Sequence, residues 1–203
     1  MSNAKSVDAG YFDGLFAASD DPWAFKSRWY EVRKRAFTLA CLPAARYASA
    51  YEPGCANGEL SAALADRCDA LLVSDGSHAA TTLARKRLIE LRHVTVTQAW
   101  LPEEWPSAGF DLVVLSELGY YLDRRSLVSL ACKARESLRP GGTVVACHWR
   151  AQIEGCELDG DLVHELLDAT LGLPSHGQWL ESDFRIDVWC DDAKSLAQRT
   201  GLR

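Results

Sequence analysis

No C-x-x-C pair occurs among the seven cysteines of this 203-residue chain, and it has no H-E-x-x-H, no G-x-G-x-x-G and no apolar run long enough to cross a membrane. The first two absences argue against the common zinc-site patterns, so no metal is expected. The third removes the loop that closes around a pyrophosphate. The fourth removes a membrane span. Positive charge is scarce as well: 22 Lys and Arg stand against 28 Asp and Glu, a net of −6. Proteins that grip nucleic acid by its phosphates need a basic footprint. A polyanionic partner is therefore not expected, whereas a neutral or cationic small molecule meets no objection. No repeat or low-complexity tract is present. The cysteines are odd in number, scattered, and mostly set in apolar runs, where a free thiol acts as a small hydrophobe. That usage points to a reducing compartment. With no signal peptide expected, the predicted location is cytoplasmic.

What is present is ordinary globular composition, 48% apolar and 25% charged. One domain of this length buries about 70% of its unfolded-chain surface. Ser2-Asn3-Ala4 reads as a tag remnant, and residues 1–20 as that remnant followed by a loose N-terminus. Residues 21–203 read as a single domain. Within it, 21–42 carries large aromatics at helical spacing and is expected to form a helical lid. Residues 47–190 form the core. Strand patterns at 47–52, 70–75, 93–98, 110–115 and 142–148 alternate with helix patterns at 59–67, 77–91, 124–137 and 160–170. Runs at 178–180 and 184–190 alternate like half-exposed strands. The prediction is an α/β fold: a doubly wound, Rossmann-like, mostly parallel seven-stranded sheet closed by an antiparallel C-terminal hairpin strand. Residues 193–203 look helical.

Glu52-Pro53-Gly54-Cys55-Ala56-Asn57-Gly58 sits between the first strand and the first core helix. Gly54 and Gly58 permit a tight turn and a close approach to a ligand, and the following helix aims its amides at that turn. Glu52 can cap the turn or meet a ligand. An acid here repels a diphosphate and suits a cation. Asp75 ends the second strand about twenty residues on, where an acid can accept both hydroxyls of a ribose. It can instead cap the helix beginning near Ser77, but Ser77 fills that role too. A nucleoside that carries a cation in place of phosphates is S-adenosylmethionine.

At this point the chain resembles the class I methyltransferases, from about Trp23 to Trp189. The further carriers are Asp111-Leu112-Val113-Val114-Leu115-Ser116-Glu117 and Leu138-Arg139-Pro140-Gly141-Gly142-Thr143. A narrower similarity is to the nodulation protein S family, rhizobial N-methyltransferases acting on chitin-type oligosaccharides. It is carried by Asp21-Pro22-Trp23-x-Phe25, Trp29-Tyr30-Glu31-x-Arg33-Lys34, Ser116-Glu117-Leu118-Gly119-Tyr120-Tyr121, Cys147-His148-Trp149-Arg150 and Asp183-Phe184-Arg185-x-Asp187-Val188-Trp189. The resemblance implies S-adenosyl-L-methionine as cofactor and a small amine as acceptor, including an amino sugar at the deacetylated end of an oligosaccharide. O-methylation of a small metabolite is the same-class alternative. A nucleotide-binding oxidoreductase and a non-catalytic binding module are the rivals on the same sheet.

The expected cofactor contacts are Tyr30, Arg33, Glu52, Gly54, Gly58, Asp75, Gly76, Ser77, Ala99, Trp100 and Ser116. Arg33, on a helix that can cover the cofactor, is suited to a bidentate grip on the methionine carboxylate, with Tyr30 assisting. Trp100 can meet the adenine with its amide or its ring, or serve as a rim aromatic. An amine arrives protonated, since alkylammonium groups titrate well above neutrality. Glu117 or His148 is the expected proton acceptor, with Tyr120 holding the amine. A buried structural role is the alternative for His148, and a packed rim for Tyr120.

Overall fold

Residues 6–7 and 9–203 are described by a computed structural model of the chain; Ser2-Asn3-Ala4 lie outside the described residues. The strands are β1 (Ala50–Pro53), β2 (Leu71–Asp75), β3 (Val94–Gln98), β4 (Phe110–Ser116), β5 (Leu138–Trp149), β6 (Ser175–Leu180) and β7 (Phe184–Cys190). They form one sheet in the order β3-β2-β1-β4-β5-β7-β6. Strands β1 to β5 are parallel, and β7 runs antiparallel between β5 and β6. The helices are α1 (Ala9–Ala18), α2 (Trp29–Ala40), α3 (Glu59–Ala65), α4 (His78–Arg87), α5 (Arg124–Glu136), α6 (Gly160–Leu171) and α7 (Leu196–Arg199).

Strand β4 shows why the sheet is covered on both faces. Its run Leu112-Val113-Val114-Leu115 is apolar throughout, as a parallel strand buried on both sides must be. Successive side chains alternate between faces. Val113 and Leu115 join the core under α5 and α6, with Tyr51, Leu127, Leu130 and Leu167. Leu112 and Val114 join the core on the α3 and α4 side, with Leu64, Leu71, Val73 and Ala84. Side-chain caps start three of these helices: Ser77 on α4, Asp123 on α5 and Asp159 on α6.

Three sequence expectations change. The first strand shortens, and Tyr47 keeps only an isolated bridge to Cys68. Residues 9–18 are helical, not loose: Phe16 is buried, and Phe12 places its ring edge-on to Tyr121. Spacing four apart puts both phenylalanines on one helical face, and that face packs. Residues 21–42 give one helix, α2, after an irregular stretch. There the Asp21 carboxylate accepts the N–H groups of Phe25 and Lys26. An Asp side chain that binds nearby amides competes with helix formation. Strand order reverses between β1 and β4, so ligands are expected outside the carboxyl ends of these strands.

Candidate functional site

The loop after β1 winds through three positive-φ residues: Gly54 (74°), Ala56 (50°) and Gly58 (82°). The N–H groups of Gly54 and Cys55 both donate to Ser74 O, at 2.7 and 2.9 Å. Asp75 completes the tie. Its Oδ2 accepts Ala56 N–H at 3.0 Å and its Oδ1 accepts Ser77 N–H at 2.9 Å. The carboxylate is thus fixed by backbone while retaining lone pairs for a ligand. Burial raises its pKa, and the two amides oppose that rise. Beside it, Gly76 lies under the Trp100 ring; a Cβ there would fall 2.3 Å from Trp100 Cε3.

These loops border a cavity of about 400 Å³. Gly54, Ala56, Asp75, Gly76, Ala99 and Trp100 line one side. Tyr30, Glu31 and Lys34 of α2 line it with Glu117, Tyr120 and Trp149 from the ends of β4 and β5. Helix α1 and the stretch through Trp23 and Phe25 add the remaining wall. Asp13 Oδ1 accepts the Ser77 hydroxyl at 2.6 Å, which fastens α1 to the loop after β2. Asn57 Nδ2 donates to Asp20 O and Asp21 Oδ1, at 3.2 and 3.1 Å, which fastens the irregular stretch.

The three non-glycine residues with positive φ among those described are Ala24, Ala56 and Glu117, and all lie on segments at the cavity. Such backbone costs roughly 1–3 kcal/mol and persists where surroundings enforce it. At Glu117 the enforcement is visible. Its N–H donates to Cys147 O at 2.9 Å. Its Oε1 meets Lys34 Nζ at 2.7 Å, and its Oε2 accepts the Tyr120 hydroxyl and, at 3.4 Å, the Trp149 N–H. Lys34 Nζ also lies 3.1 Å from Glu31 Oε2 and 5.1 Å from the Tyr30 ring centre. Burial works against the Lys34 charge, but the Glu117 carboxylate, helped by Glu31, outweighs it and raises the lysine's pKa. Burial raises the Glu31 carboxyl, and Lys34 restrains that rise. Burial, with Glu117 beside it, pushes the Tyr120 phenol well up.

A second, smaller cavity of about 60 Å³ adjoins Lys34 and is lined by Glu52, Asn57 and Ser116. Glu52 is buried, and burial pushes its carboxyl up to about 8, with Asp75 adding to the rise. Glu52 Oε2, Asn57 Oδ1 and Tyr30 Oη are buried without a hydrogen-bond partner among the described residues. Buried polar atoms are nearly always satisfied, so these are positions where a bound group can be received.

Four expected site residues face elsewhere. Arg33 forms a bidentate pair with Glu181, at 2.7 and 2.5 Å, and lies over the Phe37 ring. Residues 33 and 34 diverge because neighbours on a helix do not share a face. Gly58 begins α3 and packs against Ala84 and Leu88. Ser77 is consumed by its cap on Ala80 N–H and its bond to Asp13. His148 is fully buried. Its Nε2 accepts Gly119 N–H at 3.0 Å, its Nδ1 meets His164 Nε2 at 3.1 Å, and His164 Nδ1 meets Asp187 Oδ2 at 2.6 Å. Those partners place the His148 proton on Nδ1. Burial, then His164, lowers its pKa well below the usual value. It therefore does not face a substrate. The Trp100 amide is also taken, donating to Glu104 Oε2 at 2.6 Å, which leaves its ring for the cavity.

Arg28, Glu31 and Lys34 line the cavity without having been expected there. The available signal was the Glu31-x-x-Lys34 spacing, which reads equally well as a solvated helix pair.

Comparison with known proteins now bears on this geometry. The nodulation protein S (NodS) family model matches residues 15–167. The chain belongs to the nodulation protein S family. Nodulation protein S of Rhizobium tropici is 31% identical over 130 residues, 63% of this chain and 55% of that protein. The match thus spans little more than half of that curated relative's length. Among solved structures, a candidate methyltransferase from Pseudomonas syringae is 48% identical, with a TM-score of 0.73 over 80% of this chain and 99% of its own. N-methyltransferase NodS from Bradyrhizobium japonicum WM9, in complex with S-adenosyl-L-homocysteine, is 23% identical with a TM-score of 0.82, covering 90% of this chain and 97% of its own. The chain therefore shares the fold of that structure.

Proposed function

We propose that this NodS-family protein is an S-adenosyl-L-methionine-dependent N-methyltransferase of a small amine. The observation that carries the reading is the Asp75 carboxylate, pinned by Ala56 and Ser77 amides at the edge of a cavity that the Trp100 ring also faces. Those groups suit a ribose and a flat base. The partnerless Tyr30 Oη and Glu52 Oε2 suit the polar end of the same molecule. Arg28 takes the role expected of Arg33. It lines the cavity, and its side chain makes no hydrogen bond or ion pair among the described residues, so it can receive the methionine carboxylate.

When bound, S-adenosyl-L-methionine supplies a methyl group on a cationic sulfur that departs as a neutral thioether. The residues here hold the acceptor, orient it and keep water out. Glu31 and Glu117 both meet the Lys34 ammonium at the cavity, and their carboxylates are groups on which a cationic amine can be held. Glu117 is committed on both oxygens and positions. Glu31 meets Lys34 through Oε2 alone, and burial makes its carboxyl more basic, so it is the better proton acceptor. Tyr120, locked onto Glu117, closes the floor. The resemblance to NodS supports an amino sugar as one member of the acceptor class.

Thermal unfolding with S-adenosyl-L-homocysteine and with NAD tests the cofactor. A ligand at 100 times its Kd stabilises the folded state by about 2.7 kcal/mol. Stabilisation by the first ligand and none by the second is expected; the reverse would sink the reading. Labelled methyl transfer to a panel of amines tests the reaction.

A further inference from the structure

We propose that His164 and Asp187 are positioning residues for the reaction: acting through His148, they hold the Gly119–Tyr121 turn so that Tyr120 and Glu117 stay fixed at the cavity. This rests on the methyltransferase reading above. A line of polar groups crosses the core between β5, α6 and β7, although Val163, Leu167 and Trp189 beside it belong to an apolar cluster. The direction of every proton in the line is dictated from its ends. Gly119 N–H can only donate, so His148 Nε2 accepts it at 3.0 Å and the His148 proton lies on Nδ1. That proton points at His164 Nε2, 3.1 Å away, which must accept, so the His164 proton lies on Nδ1 as well. Asp187 Oδ2 takes it at 2.6 Å. Arg185 Nε donates to the same oxygen at 2.7 Å, and Gln178 Nε2 donates to Oδ1 at 2.9 Å. Each link has one donor and one acceptor, so the line is satisfied with both rings neutral and with no proton moved. Burial favours neutral rings and lowers the pKa of each. Burial also works against the Asp187 charge, but His164, Gln178 and Arg185 outweigh it and hold that carboxyl below its usual range.

What the line grips is the turn beneath the cavity. Gly119 is pressed so closely onto α6 that a Cβ would fall 2.4 Å from Val163 Cγ1 and 3.1 Å from His148 Nε2. The next residue, Tyr120, sets its ring edge-on to His148 at 5.5 Å and gives its hydroxyl to Glu117 Oε2. Glu117 carries positive φ, a conformation that lasts only where its surroundings enforce it. Taking two imidazoles and a carboxylate out of water is costly, and apolar side chains would fill the same core without that cost. The line instead ends on the support of the strained residue that meets Lys34 at the cavity. A reacting constellation keeps its geometry only when the residues behind it are themselves locked by hydrogen bonds.

The test follows methyl transfer to D-glucosamine and to 2-phenylethylamine, a sugar amine and an aryl-alkyl one, by the full chain and by its variants. His164→Leu leaves the His148 proton without an acceptor. With whichever amine is turned over, kcat should fall at least about tenfold, since a shift of about 1 Å in a reacting group can cost about a hundredfold. The Kd for S-adenosyl-L-homocysteine should not change, because Asp75 and Trp100 lie at the ends of β2 and β3. His164→Gln, whose amide can accept on one side and donate on the other, should regain most of the rate. Leu167→Ala, on the same buried face of α6, should lower the melting point without that loss of kcat, which separates positioning from packing. Imidazole nitrogen chemical shifts of the isotopically labelled, unaltered protein should show both rings neutral and protonated on Nδ1. They decide even where a variant does not fold. A proton on Nε2 of either ring overturns the proposal. So does an unchanged kcat in folded His164→Leu, or an equal loss in Leu167→Ala. Turnover of neither amine by the unaltered protein would remove the reaction reading, and this proposal with it.

Discussion

Lys34 Nζ lies 2.7 Å from Glu117 Oε1 and so ties the helix that covers the cavity to the strand end that floors it. Both side chains are largely shielded, with 8% and 19% of their surface exposed. A pair so placed differs from the half-exposed Arg33–Glu181 pair one residue away.

Lys34→Met should therefore be strongly destabilising. It leaves Glu31 and Glu117 facing each other without a cation. Removing one partner of a buried pair costs about 3–5 kcal/mol. Urea unfolding measures this, and adding Glu117→Gln should return part of the loss. A cost below about 1 kcal/mol, the level of a surface pair, would mean that solvent reaches the cluster.

The two arginines should behave differently. Arg33→Ala should leave the Kd for S-adenosyl-L-homocysteine unchanged and barely move the urea midpoint, because its pair with Glu181 is screened by solvent. Arg28→Ala should weaken that ligand by about 1.5–3 kcal/mol, as for a hydrogen bond to a charged group. Calorimetry on both variants decides; the opposite order would return Arg33 to the site.

Glu52 should make stability fall as pH rises. Its folded-state carboxyl titrates at about 8, above its ordinary value, because of burial. Between the ordinary carboxylate range and pH 8 the unfolded chain releases this proton and the folded chain keeps it. Folding then loses up to about 1.4 kcal/mol per pH unit from this group, and the full penalty is reached above pH 8. Glu52→Gln should remove that slope. Melting curves of both proteins from pH 5 to 9 will show whether the difference grows with pH, and a constant difference would refute the assignment.

His148 should matter for stability and not for proton transfer. His148→Leu leaves the Gly119 N–H and His164 Nε2 without a partner, at about 1–3 kcal/mol for each buried group. The pH profile of methyl transfer should show no limb attributable to this histidine. Because its folded pKa is lowered, its contribution is present above the ordinary value of about 6.5 and is lost as pH falls below it. Rescue of turnover in His148→Leu by imidazole would contradict this placement.

The sheet was legible because β2, β4 and the second half of β5 read as short apolar runs and β3 alternates Val with Thr, and the Gly54 turn and Asp75 stand out against them. The side chains that serve the cavity were less legible. Whether Arg33 or Lys34 points inward depends on the rotation of α2 against β7, and adjacent residues carry the same charge. His148 could not be distinguished from a base, because its partners Gly119 and His164 are brought to it only by folding. Helix α1 was missed because ten residues rich in Ala, Gly and Phe carry weak helical signal until Phe16 has a core to enter.

Asp13 of α1 rests on Ser77, and Val7 N–H rests on Tyr121 O, at 2.6 and 2.8 Å. Helix α1 and the residues before it thus settle on segments far along the chain, and the sheet forms its ladder without them. Substitutions in residues 11 to 25 can reshape what the cavity admits while the strands and the glycine turn stay as they are. The wall of the cavity and the sheet beneath it are in that sense separately adjustable in this fold.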